Sequence, residues 1–472
     1  MTAPTTARGS TRGSARERGR WIERWNPEDE GFWEREGRRV ARRNLALSVL
    51  SEHIGFSVWS MFSVLTLFMG PEYGIDPAGK FFLVAVASLV GAALRVPYGF
   101  AVARFGGRNW TVVSAAMLLL PTAALLVVME PGTSYTAFMA VAVLTGVGGA
   151  NFASSMTNVN SFYPLRLKGW ALGVNAGGGN IGVAAVQLAG LLVIAVAGAS
   201  HPRLLLAAYL PLIVAATVLS ARHMDNLGPV RNDTGAAREA AGDRHTWIMA
   251  FLYIGTFGSF IGYSFAFGLV LQTQFGRTPL QAASLTFIGP LLGSLVRPVG
   301  GRLADRFGGA RVTLWNFAAM TAAAGAVVIA SLRESLPLFT ASFAVLFVLT
   351  GLGNGSTFKM IPGIFQARAL AAGMAGEAAA AHARRLSGAS MALIGAIGGF
   401  GGVGINMALR QSFASFGTGT GAFAVFLGYY VLCAAVTRSV YLRRTAPASP
   451  RTPDGERAAP AGAGTRPARA EV

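Results

Sequence analysis

The chain has 472 residues, 53% hydrophobic and only 13% charged, with a formal net charge of +19 and a mean hydropathy of +0.48. So few charges exclude a soluble protein of this size, and the apolar content, with no strict glycine period, excludes a disordered or collagen-like chain. The single Cys433 excludes a disulfide framework and any multi-cysteine metal or redox centre. In chain order, residues 1–43 form a basic tail without the apolar core of a signal peptide. Six apolar segments follow within 44–221, at 44–69, 81–103, 109–130, 136–162, 169–199 and 203–221. A polar linker, 222–245, separates them from six more within 246–440, at 246–271, 281–303, 312–332, 337–365, 388–410 and 419–440. Residues 441–472, rich in Ala, Pro, Gly and Arg, are predicted to be a disordered tail. Apolar runs of about 20 residues predict a polytopic helical membrane protein, since membrane barrels alternate polar and apolar residues.

The excess positive charge lies mainly in the tails and loops, which argues against nucleic-acid binding. Loops after even-numbered segments two through ten hold 14 Lys and Arg, and loops after odd-numbered ones hold 5. The positive-inside rule then places the even loops and both tails in the cytoplasm. The halves also repeat. ASLVGAALRVPYGFAVARFGGRNWT (87–111) aligns with GPLLGSLVRPVGGRLADRFGGARVT (289–313) at an offset of 202, and LTGVGGA (144–150) aligns with LTGLGNG (349–355). Two related six-helix halves are the pattern of secondary transporters with a midplane site.

A charge inside the hydrocarbon is costly, so each one marks a candidate site. Arg95 and Arg297 occupy equivalent places in segments two and eight, with no acidic residue near them in sequence. Each lies seven or more residues before its loop, roughly 10 Å of helix, which is far for snorkelling. Two symmetric guanidiniums facing one cavity call for an anion, and their forked donors suit a planar oxyanion. Asn158, Asn175, Asn180 and Asn354 are amides that must find partners in the membrane. Small residues in segments four, five and eleven allow close helix packing, and those of five and eleven are expected to act as pivots.

The stretch GGRLADRFGGARVTL (300–314) resembles the loop motif of the major facilitator superfamily. Its first-half copy carries Ala103 in place of the motif's Asp. NFASSMTNVNSFYP with KGWALGVNAGGGNIGVAAVQ resembles the signature of the nitrate/nitrite porter family, as do LRVPYGF, YIGTFGSFIGYS, GNGSTFKMIP and IGGFGGVGIN. The resemblance covers about 44–440. It implies an all-α major facilitator fold of twelve transmembrane helices, with nitrate or nitrite as substrate. It also implies that Arg95 and Arg297 clamp the anion, that Phe152, Tyr253 and Phe257 line the pocket, and that Asn175 and Asn180 contribute amides. Asn406 stands where the second signature ends in proline, and Lys359 stands where many exchangers of the family carry glutamine.

Glu52 and His53 add titratable groups to segment one. Segments one, four, seven and ten line the cavity in this superfamily, so Glu52 and Lys359 are expected to face the same water. They are the candidates for proton coupling. The expected activity is nitrate–proton symport; nitrate/nitrite antiport, or transport of another small anion such as formate, are the alternatives. GIDPAGKF (74–81) approaches a phosphate-binding loop but has Phe81 where Ser or Thr is needed. No nucleophile–base pair or metal spacing points to an enzyme, and the longest internal polar stretch is too short for a sensor's output domain. The expected protein is a monomer in the cytoplasmic membrane that takes no cofactor.

Overall fold

Among the described residues, twelve helices are long and apolar enough to cross a bilayer. They are α1 (Glu30–Phe68), α2 (Pro77–Phe105), α3 (Gly107–Val128), α4 (Tyr135–Phe162), α5 (Leu165–Ala197) and α6 (Pro202–His223), then α7 (Arg244–Phe275), α8 (Pro279–Phe307), α9 (Gly309–Leu332), α10 (Leu336–Ala371), α11 (Gly376–Phe416) and α12 (Thr420–Leu442). The computed structural model describes residues 20–228, 230 and 233–442. Of the tail expected to be disordered, 441–472, residues 441 and 442 close α12 and the remainder lies outside the described residues, as do residues 1–19 of the basic tail. Large apolar side chains such as Val127, Leu192 and Val196 point outward, as a multi-pass membrane protein requires. The linker leaves α6 and enters α7 at one end of the bundle, here the linker end; the opposite end is the far end.

The two copies of the loop motif fold alike. Gly106 and Gly308 each hold φ at +87° and join one span to the next, a conformation that disfavours any side chain. The second copy's Asp305 pairs with Lys359 of α10 at 2.9 Å. Ala103 gives the first copy no such pair. The stretch resembling a phosphate-binding loop is a helix start: Asp76 accepts from the Gly79 N–H at 2.7 Å and caps α2.

Three segment boundaries differ from expectation. Residues 20–43 are folded rather than a simple tail. Trp21–Ile22 (β1) pairs in parallel with Asn226–Leu227 (β2) of the linker, and α1 begins well before Asn44. Trp25 donates to the Phe162 carbonyl at 3.2 Å, Glu28 accepts from the Leu165 N–H at 2.9 Å, and Glu30 pairs with Arg166 at 2.5 Å. These polar ends and the Trp33–Tyr163 ring contact strap the segment across the α4–α5 turn. The linker also folds, with a short helix at Thr234–Gly242. Its Asp233 and Glu239 bind Arg385 of α11. Finally, α10 and α11 run well past the expected limits at 365 and 388, so that residues 366–387 are almost wholly helical. They are the ends of α10 and α11, broken only at 372–375.

Candidate functional site

Arg95 lies on α2 about ten residues, ~15 Å, from the helix's linker end, and it is 2% exposed. Its Nε donates to the Gly149 carbonyl of α4 at 3.2 Å. Its Nη1 donates to the Gly395 carbonyl of α11, in the other half, at 2.7 Å. The guanidinium sits 4.9 Å from the Phe152 ring centre, 5.1 Å from Phe257, 5.4 Å from Trp59 and 6.0 Å from Phe56. Such ring faces favour a cation where water is excluded. Arg297, its repeat partner on α8, donates from Nη2 to the Tyr253 hydroxyl at 3.3 Å and lies 5.7 Å from the Phe358 ring. One terminal nitrogen of each, Nη2 of Arg95 and Nη1 of Arg297, is buried without a protein acceptor.

The aromatic wall joins the two arginines. Phe152 of α4 stacks on Phe257 of α7 at 6.1 Å, and Phe257 stacks on Tyr253 at 5.2 Å with planes 7° apart. Tyr253 immediately precedes a π-helical turn, Ile254–Gly258, and Phe257 lies within it. Such turns interrupt regular helices mostly at functional sites. The structure thus brings together Arg95, Arg297, Phe152, Tyr253 and Phe257. Phe56, Trp59 and Phe358 complete the ring set and carried no mark in the sequence beyond being aromatic.

Glu52 is fully buried in the middle of α1. Its Oε2 accepts from Ser155 Oγ and, at 2.5 Å, from Asn175 Nδ2; Asn175 also donates to Ser155 Oγ at 2.7 Å. Gly179 leaves the room for this carboxyl, since a Cβ there would stand 2.2 Å from Oε1. At an offset of 219, Gly179 of α5 corresponds to Gly398 of α11, which faces Tyr253 and Phe257. The pseudo-twofold therefore puts a carboxyl on one side where the other side has the aromatic wall. His53 turns toward α5 instead, with Nδ1 3.1 Å from the Gly178 carbonyl.

Asn180 is 1% exposed and neither of its amide atoms has a protein partner. Its repeat partner is Gly399, where a Cβ would lie 3.3 Å from Arg95 Nη1. By the same symmetry Asn180 belongs beside Arg297. Lys359 is elsewhere. Its side chain is 53% exposed and paired with Asp305 near the linker end, so it does not share the cavity with Glu52. It falls on the face of α10 that turns toward α8, whereas Phe358, one residue earlier, faces the site.

Residues 49–383 match the Major Facilitator Superfamily. The chain is 38% identical over 449 residues to "Nitrate/nitrite transporter NarU" of Escherichia coli (strain K12), covering 89% of this chain and 96% of that relative. It is 33% identical over 381 residues to "Probable nitrate/nitrite antiporter NarK2" of Thermus thermophilus, covering 74% and 84%. The solved structure of a D-xylose-proton symporter superposes with a TM-score of 0.62 at 16% identity, covering 84% of this chain and 97% of that one, a likeness of fold alone. Twelve spans in two repeated halves, a midplane arginine pair and relatives that are transporters along most of their length converge: this chain belongs to the nitrate/nitrite porter family of the Major Facilitator Superfamily.

Proposed function

We propose that the protein carries nitrate or nitrite across the cytoplasmic membrane by alternating access, with the anion held between Arg95 and Arg297 and a proton carried on Glu52. The observation that supports it most is the pair of buried guanidiniums, one from each half, each with an N–H free of any protein acceptor. Among the described residues neither is in an ion pair, so the positive charge is balanced when a small anion enters. A planar oxyanion fits the forked donors beside the aromatic wall. The names of the relatives favour nitrate and nitrite over formate. The charge asymmetry of the loops orients the linker end toward the cytoplasm.

Glu52 favours symport over exchange. A carboxyl closed off in mid-membrane beside an anion site is suited to take up a proton on one side and release it on the other. Rocking of the two halves about the site, roughly 44–221 against 246–440, would expose it to each side in turn. The test is uptake into proteoliposomes. Nitrate should accumulate with an inward proton gradient and no internal anion. Accumulation only in nitrite-loaded vesicles would replace symport by exchange. No movement of either anion would overturn the substrate reading.

A further inference from the structure

Three direct side-chain hydrogen bonds join the two halves among the described residues. One is Arg95 to Gly395, at the site itself. The other two lie toward the far end, and both come from glutamines. Gln187 of α5, 2% exposed, donates from Nε2 to the Ser264 carbonyl of α7 at 2.7 Å. Gln272 of α7 donates to the Leu67 carbonyl of α1 at 3.1 Å. Leu67 stands in the last turn of α1, where helical carbonyls have no intrahelical N–H donor of their own. A residue of the opposite half thus caps α1.

Other contacts between the halves gather at the same level. Phe81 of α2 stacks on Phe413 of α11 at 5.2 Å, and Arg410 covers the Phe82 ring at 4.6 Å. The first is a buried apolar contact and the second a half-buried cation over a ring, and neither depends on one named hydrogen-bond acceptor. The glutamines differ, because each sends a directional bond to one named carbonyl. The device is also one-sided. Asn406 is the repeat partner of Gln187, yet its Nδ2 donates to Gly402 of its own helix.

We propose that Gln187 and Gln272 are the far-end gate: two amide clasps that hold the halves together on that side while the anion site opens toward the linker end. Separating the halves there breaks both bonds and returns the Leu67 carbonyl and both amides to water. Replacing the amides removes bonds that exist only in the closed-far-end state. The closed state alone loses stabilisation, and the population shifts toward far-end opening.

The full-length chain in lipid nanodiscs tests this, with Cys433→Ala as background and spin labels on Glu72→Cys and Leu280→Cys. Both positions are exposed at the far end and belong to different halves. The parent should give one short distance by pulsed electron resonance. Gln187→Ala with Gln272→Ala should add a longer population. Gln274→Ala is the matched control, since Gln274 bonds only Ser331 and Gly419 within its own half, and it should leave the distance as in the parent. A double variant that stays monodisperse with the parent distance overturns the proposal. So does a control that shifts as much as the double variant. Neither outcome depends on which anion is carried.

Discussion

Asn175 donates its amide to the Glu52 carboxylate at 2.5 Å, so a residue expected to touch substrate and a residue expected to carry a proton form one hydrogen-bonded unit. Ser155 is the third member. The arrangement gives the buried carboxylate two donors. It also ties α1, α4 and α5 together at the level of the site.

Changing Glu52→Gln keeps the shape and removes the titrating group. Uptake of nitrate driven by a pH gradient should fall to background, while nitrate binding by calorimetry stays within about threefold of the parent, under ~0.7 kcal/mol. If the variant still accumulates nitrate on the gradient, Glu52 is a packing residue and exchange becomes the better reading.

Replacing either Arg95 or Arg297 by Lys preserves charge but loses the fork. Each change should lower kcat/KM for uptake by roughly tenfold or more, ~1.4 kcal/mol. Arg95→Lys should be the more severe, because Arg95 also bonds Gly149 and Gly395. Equal, near-parental rates in both variants would remove the clamp.

Gly178 packs against Val49 of α1, where a Cβ would stand 2.4 Å from Cγ1. The crowding is therefore inside one half, whereas a pivot role for this glycine would place it between the halves. Gly178→Leu should insert but lose transport and thermal stability, with overpacking costs of ~1–3 kcal/mol. Combining Gly178→Ala with Val49→Ala should recover most of the stability, measured by thermal unfolding in detergent. No recovery in the pair would place the clash elsewhere.

Asp233 makes a pH prediction for the linker helix. The Arg385 guanidinium holds its carboxyl down from 3.8 to about 2. A depressed carboxyl contributes stability above its ordinary value and loses it as pH falls through the folded one. Docking of the linker helix on α11 should thus be unchanged from pH 7 to pH 5 and loosen only near pH 2; high salt should weaken it because the pair is exposed. Spin labels at Arg238→Cys and Ala381→Cys would report it. Release already at pH 5 would mean that another group governs the contact.

Much of this was legible before any coordinates. Span number, the six-plus-six order of segments, the repeat and the two arginines follow from apolar runs and from charges too costly to be incidental. The folded segment around Trp21 was not legible, because its two-residue strand has no partner until Asn226 arrives from beyond α6. Lys359 was misplaced for a related reason. One residue along a helix turns about 100°, and the sequence of α10 does not say whether Phe358 or Lys359 faces inward. The aromatic residues around Arg95 carried no mark because the membrane is full of phenylalanine.

The π-helical turn of α7 has a consequence for phase. A wider turn takes in one residue more than a regular helix would, so the helix on either side is out of step by about 100°. Deleting one residue from Ile254–Gly258 would let α7 run regularly through this level. It would then turn Tyr253 and everything before it away from the face that Phe257 and the far-end part of the helix present. Tyr253, the hydrogen-bond partner of Arg297, would swing off the wall without itself being substituted. The contact between Tyr253 and Arg297, and with it the proposed anion pocket, rests on that extra residue.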